Sequence, residues 1–267
     1  MNRPLLIAAA ILSAAPGLAV EVPVGVARVD VTPTHPVVLT GYGHRVGEFQ
    51  GVDAPLWARA MAIGDDPAVI VAVDNCGVPT PVVAEVRRRV AESKAFDPSR
   101  LGVASTHPHN APQLAGYAPL IWEGRDTPEQ RQHVADYTAW LTGKIVEVAT
   151  AAVRDRKPAE LSWGQGRATF GGNRRLMIDG VWKGFAFQEK APVDHSMPAM
   201  FARRDGKLVA VWANYACHCT SAGSENRVGP DWAGFAAEEI ERDAPGATAV
   251  ITIGCGADVG PQPTGNV

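Results

Sequence analysis

Residues 68–112 read AVIVAVDNCGVPTPVVAEVRRRVAESKAFDPSRLGVASTHPHNAP, and this stretch decides the fold class. Its first part, AVIVAVDNCG (Ala68–Gly77), is almost continuously apolar until Asp74. Such a run suits a strand buried on both faces of a sheet. Pro79 and Pro81 open a helix predicted over Pro81–Lys94, with Arg87, Arg88 and Arg89 on its solvated side. LGVAS (Leu101–Ser105) is a second strand, and it runs straight into the Pro-interrupted turn THPHNAP. Strand, helix and strand in this order make a parallel pair and an α/β fold. His107 and His109 then stand at the carboxyl edge of the sheet, where open α/β sheets bind their ligands. The expectation is mixed β-sheets layered with helices and an active site at strand carboxyl ends.

The flanking sequence extends this pattern. VGVARVDVT (Val24–Thr32) alternates and ends at Pro33, LWARAMAIG is a further strand, and a long Gly/Pro-rich loop lies between them. Loops of that length in compact domains are often functional. Glu129–Arg156 is a long amphipathic helix that Lys157-Pro158 ends. Shorter strands follow: ELSWGQGRATF, VWKGFAF, MPAMFARR and KLVAVWANYA, the last two joined at Asp205-Gly206, a hairpin signal. Asp231–Pro245 is a helix with Asp231 near its start and apolar Phe235, Ala236 and Ile240, and ATAVITIG (Ala247–Gly254) is another buried strand.

At the N-terminus, Arg3 precedes LLIAAAILSAA and the small-x-small tripeptide Gly17-Leu18-Ala19. This is the form of a signal peptide over residues 1–19, which predicts a secreted or periplasmic protein whose mature part, 20–267, is one domain. The 267 residues are 46% hydrophobic with a net charge of −3 and no long basic run, which excludes nucleic acid as a partner. The four cysteines, Cys76, Cys217, Cys219 and Cys255, are too few for a disulfide scaffold; one bridge or none is expected. The sequence carries no signal for oligomeric state.

Three strands end in polar clusters: Ser105–Asn110, Cys217–Ser221 and Cys255–Asp258. Neutral imidazole is a common zinc ligand, and a catalytic zinc takes about three protein ligands with one position open for water. His107 and His109, one residue apart, point the same way on an extended segment, and His218 follows a strand of its own. Together they suggest Zn2+ and hydrolysis. An isolated His-x-His also fits a surface loop, and Cys217-His218-Cys219 has no second cysteine pair spaced for a zinc ribbon. His35, His44, His133 and His195 read as loop or surface residues, although His44 lies in the glycine-rich loop and could line a cleft.

In this order, several segments resemble the neutral/alkaline, non-lysosomal ceramidase family. They are GVARVDVTP (Gly25–Pro33), GYGHR (Gly41–Arg45), VAVDNCGV (Val71–Val78), ASTHPHNAP (Ala104–Pro112), GGNRR (Gly171–Arg175), NYACHCTS (Asn214–Ser221), GPDWAG (Gly229–Gly234) and GCGADVGP (Gly254–Pro261). The resemblance implies that His107 and His218 bind zinc and that His109 contacts substrate beside it. Arg174 would line the site and stabilise an oxyanion, with Asn173, Asp231 and Asp258 shaping it. It implies an amide-cleaving hydrolase whose substrate is a ceramide-like N-acyl lipid or another small molecule, and hence peripheral contact with a membrane.

Two departures qualify that implication. The family's serine before the aspartate matched by Asp231 is missing, since Gly229 and Pro230 stand there. The remaining family ligands, a glutamate and a tyrosine, lie downstream in a longer chain, so this sequence looks C-terminally truncated, and zinc would be held weakly unless Glu225, Asp258 or another acidic group completes the site. Two alternatives therefore stand beside the hydrolase: a catalytically inactive lipid- or glycan-binding member, and a zinc hydrolase of a different substrate.

Overall fold

A computed structural model describes residues 20–262, and the leader predicted over 1–19 lies outside the described residues. The first half of the chain contributes β1 (Val20–Asp30), β2 (Trp57–Ile63), β3 (Ala68–Val73), α1 (Thr80–Ser93), β4 (Leu101–Ser105), α2 (Pro119–Trp122) and α3 (Pro128–Arg154). The second half adds β5 (Lys157–Arg167), β6 (Gly171–Asn173), β7 (Arg175–Ile178), β8 (Val181–Phe185), β9 (Ser196–Arg204) and β10 (Lys207–Tyr215). It closes with α4 (Asp231–Asp243), β11 (Thr248–Ile253) and β12 (Val259–Pro261). Eight strands form one mixed sheet in the order β11-β10-β9-β5-β1-β2-β3-β4, with parallel pairs at both ends, β3/β4 and β10/β11. The α/β architecture is the one expected.

Local chemistry explains the element boundaries. Thr127 caps α3 in a capping box with Gln130, Pro128 takes the first helical position and Arg154 lies in the last turn, so the helix starts one residue before Glu129. Asp205 and Gly206 both have positive φ, 50° and 73°, the two-residue turn that lets β9 pair with β10. Small residues form the buried side of the last helix. In α4 the buried residues are Asp231, Ala233, Gly234 and Ala237, and Phe235 is 47% exposed. The helix lies against β11 on its small side chains, within a cluster that includes Ala233, Ala237, Ala249 and Ile251. The larger phenyl ring is left facing out.

The sheet is curled rather than open. Its outer face is covered by α3 and α1 over β1–β4 and by α4 over β11. Its inner face closes on itself through Val24, Met61, Ala72, Ala159, Ala202, Ala210 and Val250, drawn from both halves. Edge strand β11 therefore packs against β2, β3 and the opposite edge strand β4. A polar chain runs along the same inner face, exposed at Arg28 and buried at Arg59, Asp74 and Glu241. Arg28 and Arg59 stand directly opposite each other on β1 and β2, and Glu241 of α4 accepts from both, at 3.1 Å from Arg59 Nε. Arg59 reaches on to Asp74 at 3.3 Å, which also accepts from the backbone of Trp57 at 2.9 Å and from the Thr106 hydroxyl at 2.9 Å.

The two-stranded ribbon of β7 and β8 stands apart from this core. Met177 pairs with Trp182 on one of its faces and Ile178 with Val181 on the other, and each of the four is about half exposed.

Like charges placed opposite each other in a sheet destabilise it, and removing one partner of a buried ion pair leaves an uncompensated charge. Glu241→Ala is expected to lower unfolding stability by roughly 3 kcal/mol, read from the midpoint of urea denaturation. A variant with the midpoint of the parent chain would refute the role given to this carboxylate.

Candidate metal centre

Three backbone segments converge beyond the strand ends. Thr106 donates its N–H to Val73, and His107 donates its own to Asn75, which ties the turn after β4 to the turn after β3. His107 has φ 62°, in the left-handed region. The segment is therefore not extended as predicted: the chain turns at His107. Pro108 bridges to Cys219 in parallel, and His109 donates its N–H to the Cys219 carbonyl at 3.3 Å. His218 is fixed from its other side, donating its backbone N–H to Val259 at 2.9 Å.

This geometry brings the three predicted histidines together. His107 Nε2 lies 3.1 Å from His218 Nε2 and 3.3 Å from His109 Nε2. The far nitrogens fix the tautomers: Nδ1–H of His107 donates to the Cys76 carbonyl, and Nδ1–H of His218 donates to the Gly256 carbonyl at 2.9 Å. The Nε2 atoms of His107 and His218 thus face each other with their lone pairs, and the gap between them needs a positive charge, either a proton or a metal ion. His109 differs. Its Nδ1 is buried without a hydrogen-bond partner.

The surroundings set the charge state of each ring. Burial first, then the neighbouring His107 and His218 and the cation of Arg174, pull His109 down to about 3. Burial likewise pulls His218 down to about 4, against its bond to Gly256. For His107 burial also acts downward, but its contacts with the thiol and carbonyl of Cys76 outweigh it and the ring moves up. Of the three rings, His107 is the one whose surroundings favour the charged form.

The other predicted residues frame the three rings. Arg174 donates to the Ala257 carbonyl through Nη2 at 3.1 Å and lies 4.9 Å over the Phe185 ring. Its backbone N–H meets the Asp258 carbonyl at 2.8 Å. The Asp258 carboxylate is occupied by the Asn173 amide at 3.2 Å. Asp231 is buried at the first turn of α4 with φ 56°, accepting from the Ser221 hydroxyl and the Ala222 N–H, both at 2.7 Å. The Trp232 indole beside it donates to the His218 carbonyl at 2.8 Å. Glu225 is exposed, and its contribution is its backbone carbonyl.

Two residues near the rings were not singled out in the sequence. The Tyr42 ring meets His109 edge-on with centroids 5.1 Å apart, and Arg45 lies buried behind it. Their signal was the GYGHR segment, in which His44 attracted the attention; His44 is exposed and Tyr42 is the residue turned to the rings. Gly41 in the same segment has φ 99°, and a Cβ there would stand 2.4 Å from that of His109. The remaining histidines are satisfied elsewhere: His133 with Glu48, His195 with the Ala168 carbonyl and His35 with Thr34.

The donor set fits a transition metal. Two nitrogens bound to one tetrahedral zinc stand roughly 3.3 Å apart, close to both distances observed here. Cys76 Sγ and one ligand atom each of His107 and His109 lie within 4.8 Å of one another. Cys76, however, sits behind the His107 ring: its sulfur is 3.8 Å from Nδ1, on the side away from Nε2. All four cysteines are free, and burial pushes the Cys217 thiol up to about 12 and raises Cys219 still further, so neither is a ready thiolate. Among the described residues no carboxylate joins this group.

Comparison with known proteins identifies the family and the fold. The family described as neutral/alkaline non-lysosomal ceramidase, N-terminal, matches residues 23–254. The fold is similar to a neutral ceramidase from Pseudomonas aeruginosa, with TM-score 0.74 and 19% identity over 90% of this chain. A structure described as a ceramidase complexed with C2 gives TM-score 0.71 at 19% identity, again over 90% of this chain. The chain spans 39% of the length of each of these solved structures. No curated protein matches the sequence.

At pH 5.5 without metal, long-range 1H–15N spectra are expected to show His109 and His218 neutral and His107 charged. Below about pH 6.5, the ordinary histidine value, the unfolded chain takes up protons that folded His109 and His218 refuse. Their burial therefore costs stability progressively as pH falls towards about 4 and about 3. Finding His218 charged at pH 5.5 would refute the charge order given to the three rings.

Proposed function

The chain belongs to the neutral/alkaline non-lysosomal ceramidase family, and from that premise we propose that it is a zinc-dependent hydrolase cleaving the amide bond of a ceramide-like N-acyl lipid. One observation carries the metal assignment: the Nε2 atoms of His107 and His218 oppose each other at 3.1 Å while both Nδ1 atoms are committed to backbone carbonyls. In this reading His107 and His218 hold the ion. A bound zinc would supply a water that is nucleophilic near neutral pH. His109 keeps its ring neutral and offers a nitrogen for proton transfer beside the substrate. Arg174, held by Ala257 and Phe185, stabilises the charge that develops on the carbonyl oxygen. Asn173, Asp231 and Asp258 shape the walls.

The lipid and amide parts of the proposal rest on the family and on the neighbouring ceramidases. The proposed location, secreted or periplasmic, rests on the reading of residues 1–19. A second reading, a catalytically silent member that binds lipid or glycan, is favoured by the lack of a carboxylate beside the two histidines among the described residues. Zinc analysis combined with hydrolysis of a short fluorescent N-acyl sphingosine analogue separates the two.

The parent chain is expected to hold about one zinc, and His107→Ala or His218→Ala to lose it. Unchanged zinc in both variants would sink the assignment. Arg174→Ala is expected to lower kcat by about 100-fold with KM little changed, as for an oxyanion donor. An unchanged kcat would remove Arg174 from the reaction.

A further inference from the structure

Arg45 is buried at 8% exposure, and all five of its N–H donors are taken. Nε donates to the Ser224 carbonyl at 3.2 Å. Nη1 donates to the carbonyls of Thr40, at 2.8 Å, and His109. Nη2 donates to the Asn110 side-chain oxygen at 3.1 Å and the Glu225 carbonyl at 2.6 Å. None of these acceptors is a carboxylate, and the side chain makes no ion pair among the described residues. A cation without a counter-ion is an expensive way to join three loops if joining them is its sole use. The guanidinium also lies 4.8 Å over the Tyr42 ring, which lies edge-on against the His109 ring. His109 is thus gripped twice, at its carbonyl by Nη1 and at its imidazole through Tyr42. Its own Nδ1 makes no hydrogen bond that would fix the ring.

We propose that Arg45 and Tyr42 form the positioning unit of His109, setting the direction in which its imidazole faces the substrate without touching the metal ligands. Arg45 supplies the fixed point and Tyr42 transmits it. Lysine cannot substitute, because one ammonium with three donors cannot reach five acceptors arranged as a planar fork. The functional part of this inference rests on the proposed substrate role of His109; the positional part does not.

The test uses Arg45→Lys, which keeps the charge, and Tyr42→Leu, which leaves all five guanidinium bonds intact. The side-chain resonances of His109 and His218 are read in metal-free protein, without turnover. Zinc content, kcat and KM are read with the fluorescent N-acyl sphingosine analogue. In both variants the His109 resonances are expected to shift or broaden while those of His218 stay in place, with zinc content kept. The kcat should fall at least about tenfold with KM within about twofold, since misplacing a reacting group by about 1 Å costs on that order or more. If Arg45→Lys does not fold, Tyr42→Leu decides alone. Unmoved His109 resonances in the folded variants would overturn the positioning role. Moved resonances with unchanged kcat would confirm the positioning and refute instead the proposed role of His109.

Discussion

Four alanines, Ala72, Ala159, Ala202 and Ala210, lie on the inner face of the sheet, and the approach of β11 to β4 depends on them. Leucine or phenylalanine at these four positions would hold the two halves apart, because interiors pack at crystal-like density and a few ångströms of extra side chain cannot be absorbed. With these four positions small and the larger Met61, Leu161, Met200 and Trp212 set between them, the carboxyl ends of β4 and β10 come within reach of each other, although the strands stand at opposite sides of an eight-stranded sheet. The helices follow from the same constraint. Both large ones take the outer face, and α4 lies close to β11 on small residues because the space there is set by the curl.

At the candidate metal centre, main-chain carbonyls orient the imidazoles, a task that acidic side chains often perform around zinc. Cys76 and Gly256 turn two imidazoles by their Nδ1 atoms, and both carbonyls belong to turns that follow strands. Orientation is thereby tied to the backbone rather than to a flexible carboxylate. The charge around the rings is positive, from Arg174 on one side and Arg45 on the other. Such surroundings weaken the hold on a divalent cation and favour any anion formed in front of it, a balance in keeping with the oxyanion role proposed for Arg174.

The strand–helix–strand unit at residues 68–105 was legible because each of its elements has a strong period and its own stop signal. The three histidines were legible as chemistry, since their residue type and position after strands are visible in the linear text. Their mutual approach was not. It depends on the curl of the sheet and on the left-handed turn at His107, which no local pattern announces. Which side of the Asp231–Pro245 helix is buried was not legible, because a helix facing β11 at close range buries its alanines and leaves Phe235 outside, the reverse of the usual preference. Arg45 and Tyr42 went unnoticed for a related reason: an arginine in a glycine-rich loop looks like surface until its five acceptors, spread over positions 40 to 225, are seen around it.

The β7–β8 ribbon pairs Met177 with Trp182 on one face and Ile178 with Val181 on the other. A ribbon laid against a globular partner needs only one apolar face; this one has two. Two extended strands with greasy sides and free edges are also the form in which chains adhere to their own copies. Purification is where this feature will first be felt. Among the described residues the ribbon is a part apt to cause loss on surfaces and clouding on concentration, and a mild detergent or Trp182→Ser is the practical remedy.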